Sequence, residues 1–303
     1  MVFSSEQAMR ALGALRPARP PAGDVALRRE MLTLPDGYRT AVLRHVPAAP
    51  AGLPVLYAHG IQSHPGWFVG SAQALARCGH EVFQVVRRGS GEAGAARGDA
   101  RSARQLIDDV RAAVEYVTAA TGAAKVVLLG VSWGGKLLTA YALGFPQRSA
   151  SLMLVAPGLA ARVGPSAWTR LAVAACWLCS PRRYFDIPLS DPALFTDNPA
   201  MRDYLRGDRH RLMRATARFM VASHVLDRII ARAARASALT VPTTLLLARR
   251  DRIIDNDRTR RLVERLTGDS ARVVELDAAH TIEFEPDPAE FYALLCQAVA
   301  GGL

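Results

Sequence analysis

The serine in the segment Gly130-Val131-Ser132-Trp133-Gly134 has the surroundings of a nucleophile. The apolar run at 126–129 before it is typical of a buried strand, and the stretch 136–145 after it is typical of a helix. A tight turn between strand and helix needs small residues, and it exposes the hydroxyl beside free N–H groups that favour developing negative charge. The alternative is a glycine-rich loop without chemistry, but the flanking strand and helix favour a nucleophile.

A serine hydroxyl attacks a carbonyl efficiently when a histidine accepts its proton and a carboxylate orients that histidine. Two loops that follow late predicted strands carry these groups, Asp251 in the first loop and His280 in the second. Asp255 is a rival acid, but Asp251 is the better candidate because it comes four residues after its predicted strand. We therefore predict catalysis by Ser132, His280 and Asp251; the alternative for His280 is an ordinary surface-loop histidine.

The negative charge formed on the attacked carbonyl needs two backbone N–H donors aimed at one point. One donor is predicted at Trp133, directly after the serine. The other is predicted at Ile61, in the loop His59-Gly60-Ile61 that follows a short apolar run. Gly60 allows close approach of the backbone, and His59 and Gly60 are expected to border the substrate, with His59 packing or hydrogen-bonding under the loop. A plain strand-ending turn is the alternative interpretation.

Hydrophobic patterning predicts the elements that must position these groups. Residues 25–34 and 39–46 alternate apolar and polar side chains around Pro35-Asp36-Gly37, which predicts a hairpin. Six further strands are predicted, at 54–58, 81–86, 126–129, 151–156, 243–247 and 272–276. Helical patterns alternate with them, at 67–78, 101–121, 136–145, 257–267 and 288–299. This order predicts an α/β fold with a mostly parallel eight-stranded sheet and helices on both faces.

The pattern also divides the chain into regions. Residues 1–23 are predicted to be an amphipathic, proline-rich leader on the surface, partly disordered. Residues 24–156 and 241–303 form the predicted core. Residues 157–240 contain no convincing strand and several helical stretches broken by prolines, which predicts a helical lid, inserted after the sixth strand, over the carboxyl ends of the strands.

Apolar side chains of the predicted lid suggest a binding role. We expect Trp168, Trp177 and Phe195 to line a pocket for an acyl chain, and the alternative is that they simply form the core of the lid. The lid is also rich in arginine. These cations are either a solvated face or a contact for an anionic headgroup or membrane surface.

Composition narrows the remaining possibilities. The net charge of +11 comes almost entirely from arginine. We attribute it to a solvated surface rather than to nucleic-acid binding, because no basic stripe with interleaved aromatic residues is visible. Cys176 and Cys179 form a C-x-x-C motif, but no second ligand pair is evident, so we predict neither a metal nor a cofactor. The cysteines are predicted to be buried thiols, and without a signal-peptide pattern or a membrane span the expected location is the cytoplasm. The oligomeric state is left open.

Lys136 is unusual because a cation in the first turn of a helix opposes the helix dipole. We expect it to pair with a carboxylate, for instance an acid of the late loops. A direct chemical role is less favoured because His280 already supplies a base.

Together these residues resemble the α/β-hydrolase superfamily, and more narrowly its serine aminopeptidase-like and monoacylglycerol lipase (lysophospholipase)-like group, over about residues 25–300. The resemblance is carried by the following segments: His59-Gly60, Arg88-Gly89-Ser90-Gly91, Arg97-Gly98-Asp99, Gly130 to Lys136, Asp251, His280, and the lid pieces 187–192 and 194–196. It implies a serine hydrolase with a helical cap over its site. Members of the group usually carry Asp where this chain has Val86, for which we expect a local structural change.

The sequence therefore favours hydrolysis of a carboxylic ester of lipid type, such as a monoacylglycerol or lysophospholipid, through an acyl-enzyme. An acyltransferase or a peptidase with the same three residues is the alternative. A non-catalytic binding protein on this fold is less favoured because the serine, histidine and aspartate are all present.

Overall fold

An eight-stranded sheet lies at the centre of the computed structural model, which describes residues 5–92 and 96–301. Its strands are β1 (Ala26–Thr33), β2 (Arg39–Val46), β3 (Val55–Ala58), β4 (Val82–Val85), β5 (Val126–Val131), β6 (Ser149–Val155), β9 (Thr243–Ala248) and β10 (Arg272–Leu276). Two short strands outside it are β7 (Tyr184–Asp186) and β8 (Arg214–Thr216).

The spatial order of the sheet is β1-β2-β4-β3-β5-β6-β9-β10. The pairs β1–β2 and β2–β4 are antiparallel, and the pairs from β4 to β10 are parallel. Parallel neighbours end at the same edge, so the carboxyl ends of β3, β5, β9 and β10 converge there. The loops that carry the predicted site residues all leave the sheet at this edge.

Helices connect the strands and cover the sheet. They are α1 (Ser5–Leu12), α2 (Val69–Arg77), α3 (Ala103–Thr121), α4 (Trp133–Gly144), α5 (Ala167–Cys179), α6 (Pro199–Gly207), α7 (Ala217–Ala233), α8 (Asn256–Thr267) and α9 (Ala289–Val299). Helix α3 packs against α4, and α2 packs against α9. No helix within the described ranges combines the length and apolar character that crossing a bilayer requires.

The elements follow from their sequences. Every residue of β5, Val-Val-Leu-Leu-Gly-Val, is buried, as expected for a central parallel strand. Helix α3 begins after Ser102, whose hydroxyl accepts the N–H of Gln105, and ends at Gly122, whose φ of 73° is left-handed. The predicted fold class and the eight predicted strands of the sheet are therefore confirmed, with ends that differ by a few residues.

Residues 157–240, called the insert below, lie between β6 and β9. The prediction that they contain no strand is wrong, because β7 and β8 pair antiparallel. Three residues each are too few for the two-residue alternation to show in the sequence. The insert is tied to the core through Asp99, which accepts hydrogen bonds from Thr216 and Arg218.

The leader is also more ordered than predicted. From Ser5 onward it contains α1, whose Ala8 and Leu12 are buried with Leu15 against the outer strands of the sheet. Val86 belongs to the same apolar cluster, so a valine replaces the group's usual Asp where the leader covers the core. The prediction of a surface appendage is wrong for these residues, because their apolar face packs on the sheet. Residues 1–4 lie outside the described part of the chain.

The cysteine prediction needs a correction as well. Cys78, at the end of α2, and Cys296, on α9, form a disulfide, although the sequence predicted thiols. They are 218 residues apart, and only the packing of α2 against α9 brings them together. Cys176 and Cys179 are free, but neither is buried as predicted, because Cys176 is half-buried and Cys179 is exposed.

Candidate active site

Ser132 occupies a strained turn between β5 and α4. Its φ of 52° is unusual for a residue other than glycine. The turn is held because the Ser132 N–H donates to Val155 O at 2.9 Å and its carbonyl accepts the N–H of Gly158 at 2.7 Å. At Gly134 a Cβ would lie 2.3 Å from Ala58 O, so a larger residue would push the turn off the sheet. Strain of this kind, maintained by the surrounding packing, is characteristic of functional sites.

His280 and Asp251 complete a chain of hydrogen bonds that begins at Ser132. The Oγ atom of Ser132 lies 3.0 Å from Nε2 of His280, and Nδ1 of His280 lies 2.7 Å from Oδ2 of Asp251. A carboxylate can only accept, so Nδ1 carries the proton and Nε2 is left to accept the serine proton. Both His280 and Asp251 are buried.

The choice between the two candidate acids is clear in the geometry. The other carboxylate oxygen of Asp251 accepts the N–H groups of Ile253 and Ile254 at 2.7 and 2.8 Å, which orients the side chain towards His280. Asp255 instead caps helix α8, where its carboxylate accepts the N–H of Arg258 at 3.0 Å. Asp251 is therefore the acid that the fold brings to His280.

The loop after β3 passes directly beside the nucleophile. A Cβ placed on Gly60 would lie 3.2 Å from the Cβ of Ser132 and 3.6 Å from its Oγ, so glycine permits this approach. Ile61 follows in that loop. Trp133 is the first residue of α4, and N–H groups in the first turn of a helix have no acceptor within the helix. Trp133 thus adjoins Ser132 in the chain, and Ile61 directly follows the glycine that approaches the Ser132 side chain.

His59 lies under this loop, as the sequence indicated, and is only 2% exposed. Its Nδ1 donates to Gly60 O at 2.9 Å, and its Nε2 accepts the N–H of Arg87 at 3.2 Å. Burial, together with the nearby Arg87 charge, holds the pKa of His59 well below its usual value, so the ring is neutral. Both ring nitrogens are engaged below the loop, where His59 supports the backbone at Gly60, and its place beside the substrate stays a prediction.

The predicted lid residues separate into two groups. Phe195 is buried, with its ring centre 6.0 Å from the ring of His280, and its carbonyl accepts the N–H of Thr281 at 2.9 Å. Trp168 and Trp177 are 81% and 47% exposed on α5. The prediction that these two line a pocket is wrong for this arrangement, because α5 buries only Val173 and turns its other apolar side chains outward.

Lys136 is buried and paired, as the sequence predicted. Its Nζ lies 2.6 Å from Oδ1 of Asp227, but this acid belongs to helix α7 of the insert and not to the late loops. The same nitrogen lies 3.5 Å from Oγ of Ser223, which also accepts the indole N–H of Trp133 at 2.9 Å. Lys136 therefore connects the nucleophile's helix to the insert.

A buried polar network that the sequence did not reveal connects the insert to the loop after β3. The Nε2 atom of His64 lies 3.0 Å from Oδ2 of Asp208, which also accepts the indole N–H of Trp67 at 2.8 Å. Gln62 accepts a hydrogen bond from Arg211 at 2.9 Å. Burial by itself would raise the pKa of Asp208, but the hydrogen bonds from His64 and Trp67 outweigh it and lower that pKa. Within residues 5–92 and 96–301, no cluster of His, Cys, Asp and Glu has a metal-binding arrangement.

Comparison with known proteins identifies the family of this chain. The profile of the serine aminopeptidase, S33, family matches residues 50–287. A monoacylglycerol lipase of Mycolicibacterium smegmatis is 30% identical over 117 residues, which span 39% of this chain and 41% of that protein.

Two solved structures show the same fold over nearly the whole chain. The monoacylglycerol lipase of Paleococcus ferrophilus covers 92% of this chain and 100% of its own, with a TM-score of 0.74 at 21% identity. A soluble variant of the Saccharomyces cerevisiae monoglyceride lipase covers 95% of this chain and 99% of its own, with a TM-score of 0.81 at 17% identity. The resemblance drawn from the motifs is confirmed, and this chain belongs to the serine aminopeptidase S33 family of α/β-hydrolases.

Proposed function

We propose that this protein is a serine hydrolase that cleaves carboxylic esters through an acyl-enzyme. The observation that carries the proposal is the continuous series of contacts from Ser132 Oγ to His280 Nε2, at 3.0 Å, and from His280 Nδ1 to Asp251, at 2.7 Å. The loop of Gly60 and Ile61 lies beside the same hydroxyl, where an oxyanion would form.

In this mechanism Ser132 Oγ attacks the ester carbonyl while His280 Nε2 takes its proton. Asp251 holds the imidazole in the required tautomer and stabilises the imidazolium. The Ile61 and Trp133 N–H groups receive the oxyanion, and His280 then gives its proton to the departing alcohol. Water, activated by His280, hydrolyses the acyl-enzyme and restores the serine.

The proposed substrate is a lipid-like ester with one acyl chain, of the monoacylglycerol or lysophospholipid type. Two observations support this choice. The similar proteins named above are monoacylglycerol or monoglyceride lipases. Helix α5 also exposes a row of large apolar side chains that includes Trp168, Leu171 and Leu178. Exposed apolar surfaces of this kind mark binding sites for partners or lipid.

The direct test is hydrolysis of p-nitrophenyl esters of increasing acyl length, and of a monoacylglycerol, by the wild-type protein and by Ser132→Ala. We expect Ser132→Ala to lower turnover by about 10⁴-fold or more without changing the melting temperature. Equal turnover by both proteins, or none by either on any of these esters, would sink the proposal.

The same three residues would also serve a peptidase, which the name of the matching family favours as the second candidate. Release of p-nitroaniline from aminoacyl p-nitroanilides, compared with release of p-nitrophenol from the matching esters, separates amide from ester cleavage. Transfer of the acyl group to an added alcohol or amine would reveal an acyltransferase. A folded protein that does not react with a fluorophosphonate probe would instead be a binding protein.

We also propose that α5 contacts an anionic lipid surface. Its exposed apolar side chains lie near Arg170, Arg182 and Arg183 in the chain, an arrangement suited to acyl chains beside negative headgroups. Sedimentation with phosphatidylglycerol vesicles, but not with phosphatidylcholine vesicles, is expected for the wild type. Trp168→Ser with Leu178→Ser is expected to abolish it, and equal sedimentation of the variant would contradict this contact.

A further inference from the structure

Arg87 is a buried side chain that touches the residues of both proposed oxyanion donors. One of its guanidinium N–H groups, at Nη2, donates to the carbonyl of Ile61 at 2.9 Å. Its Cζ lies 4.9 Å from the centre of the Trp133 ring and 5.2 Å from that of Phe219. Its other terminal nitrogen, Nη1, donates a hydrogen bond to the carbonyl oxygen of Arg88 at 2.9 Å. A single guanidinium therefore joins the loop after β3 to the start of α4.

The charge of Arg87 has no counter-ion near it. In the part of the chain that the structure describes, no carboxylate lies within 4.0 Å of this guanidinium, and its Nε has no hydrogen-bond partner. Arg88, the next residue and equally buried, is paired with both Asp36 and Asp109. Burial lowers the pKa of Arg87 to about 10, which still leaves it protonated at neutral pH.

A buried charge without a counter-ion lowers the stability of the folded protein. Its presence here therefore suggests that Arg87 has a functional role that offsets this cost. Uncharged side chains would fill the space beside Trp133 and Phe219 at lower cost. A cation next to the point where negative charge develops is, by contrast, favourable in the transition state and unfavourable elsewhere.

We infer that Arg87 is a positioning residue for the oxyanion hole. Its hydrogen bond to Ile61 fixes the loop that carries one donor, and its contact with Trp133 fixes the residue that carries the other. Its uncompensated charge strengthens the field that both N–H groups present to the oxyanion. This inference rests on the proposed serine hydrolase activity and deepens it, since it assigns a role to a residue outside the three that transfer the proton.

Helix α7 holds this arrangement from the insert side. The ring of Phe219 stacks on that of Trp133 with their centres 5.4 Å apart, and Ser223 accepts the indole N–H. The indole is thus held by Phe219 and Ser223 of α7 and by the guanidinium of Arg87 over its ring. Because the donors are preorganised, the benefit falls on the transition state, which predicts an effect on kcat and little on KM.

The test compares Arg87→Met, which removes charge and hydrogen bonds, with Arg87→Lys, which keeps the charge but not the planar fork. Arg88→Lys is the matched control, because Arg88 is equally buried and its guanidinium pairs with Asp36 and Asp109 instead of donating to Ile61. Each variant is assayed for kcat and KM on the best p-nitrophenyl ester. Each is also titrated with a trifluoromethyl ketone, whose adduct with Ser132 carries an oxyanion, and melted by circular dichroism.

We expect Arg87→Met to lower kcat roughly tenfold to hundredfold, with KM nearly unchanged and the affinity for the ketone reduced in parallel. For Arg87→Lys, kcat and ketone affinity should fall less than for Arg87→Met. For Arg88→Lys, kcat and ketone affinity should both stay at the wild-type values. A folded Arg87→Met protein with wild-type kcat and ketone affinity overturns the inference while leaving the hydrolase proposal intact. If Arg87→Met does not fold, wild-type values for Arg87→Lys overturn it in the same way. An inactive wild-type protein overturns both proposals together.

Discussion

Lys136 Nζ lies 2.6 Å from Oδ1 of Asp227, which joins the helix of the nucleophile to helix α7 of the insert. A cation at this position opposes the dipole of α4, and the carboxylate of Asp227 offsets that cost. The contact makes the placement of the insert part of the environment of Ser132. The same helix supplies Phe219 and Ser223, which hold the indole of Trp133.

A double-mutant cycle measures the coupling energy between Lys136 and Asp227. The Lys136 side chain is 11% exposed and that of Asp227 39%, so solvent screens the pair in part, and we expect a coupling energy of about 1 kcal/mol. The single substitution Asp227→Asn should destabilise the protein more than the double substitution of Lys136→Met and Asp227→Asn. The reason is that the single substitution leaves a buried cation without its carboxylate. Urea unfolding of the wild type, the two single variants and the double variant gives the coupling energy.

The exposed pair Arg206 and Asp203 on α6 is the control for this cycle. Its side chains are 62% and 75% exposed, and we expect no measurable coupling. Equal coupling energies in the two cycles would mean that Lys136 and Asp227 form only an ordinary surface ion pair.

The two rival acids should respond differently to mutation. Asp251→Asn leaves an amide that cannot hold the imidazole in the tautomer needed to accept the Ser132 proton, so we expect kcat to fall by about 10³- to 10⁴-fold. Asp255→Ala removes the cap of α8, which should cost about 1 kcal/mol of unfolding free energy and leave kcat unchanged. Turnover on a p-nitrophenyl ester and urea unfolding are measured for each. The reverse pattern would transfer the catalytic role to Asp255.

Local patterns are sufficient to predict that Ser132, His280 and Asp251 come together. Gly130 to Gly134 run from the end of β5 through Ser132 into the start of α4, and a junction this short is encoded by its own residues. Asp251 and His280 could be assigned because each follows a recognisable strand, and parallel strands bring their following loops to one edge of the sheet. The acid that pairs with Lys136 could not be located, because Asp227 is on a helix of the insert whose packing direction no local pattern gives.

The structure differs from the sequence prediction where long-range packing decides the position of a residue. The amphipathic, proline-rich leader predicts a surface appendage, yet its apolar face covers the outer strands and Val86. The apolar character of Trp168 and Trp177 predicts a place in a pocket, although the orientation of α5 turns them outward. Nothing in the sequence indicates that Arg87 is buried beside the site, because a charged residue that follows a strand ordinarily lies at the surface.

Glu283, three residues after His280, should make stability depend on pH. It is fully buried and accepts hydrogen bonds from Ser71 N–H and the Tyr292 hydroxyl, and burial raises its pKa to about 7. Between its ordinary value and pH 7 the folded protein keeps a proton that the unfolded chain has lost. The contribution of Glu283 to the unfolding free energy is therefore fully present at low pH and is lost as the pH rises to 7. This loss amounts to roughly 3 kcal/mol.

Glu283→Gln, which stays neutral, isolates this contribution. We expect the unfolding free energy of the wild type, measured relative to that of Glu283→Gln in urea, to fall between pH 5 and pH 8. Subtracting the variant removes the contribution of other titrating groups, such as His59. A difference that stays constant over this range would show that Glu283 has an ordinary pKa.

The disulfide between Cys78 and Cys296 predicts sensitivity to reductant. The bond closes a loop of more than two hundred residues and joins α2 to α9, so its loss should cost about 2–4 kcal/mol of unfolding free energy. Urea unfolding with and without dithiothreitol should therefore differ for the wild type and coincide for Cys78→Ala with Cys296→Ala. Cys176→Ala with Cys179→Ala is the control, and it should remain as sensitive as the wild type because these two cysteines are free. Unfolding of the oxidised wild type that reductant does not shift would contradict a stabilising bond between α2 and α9.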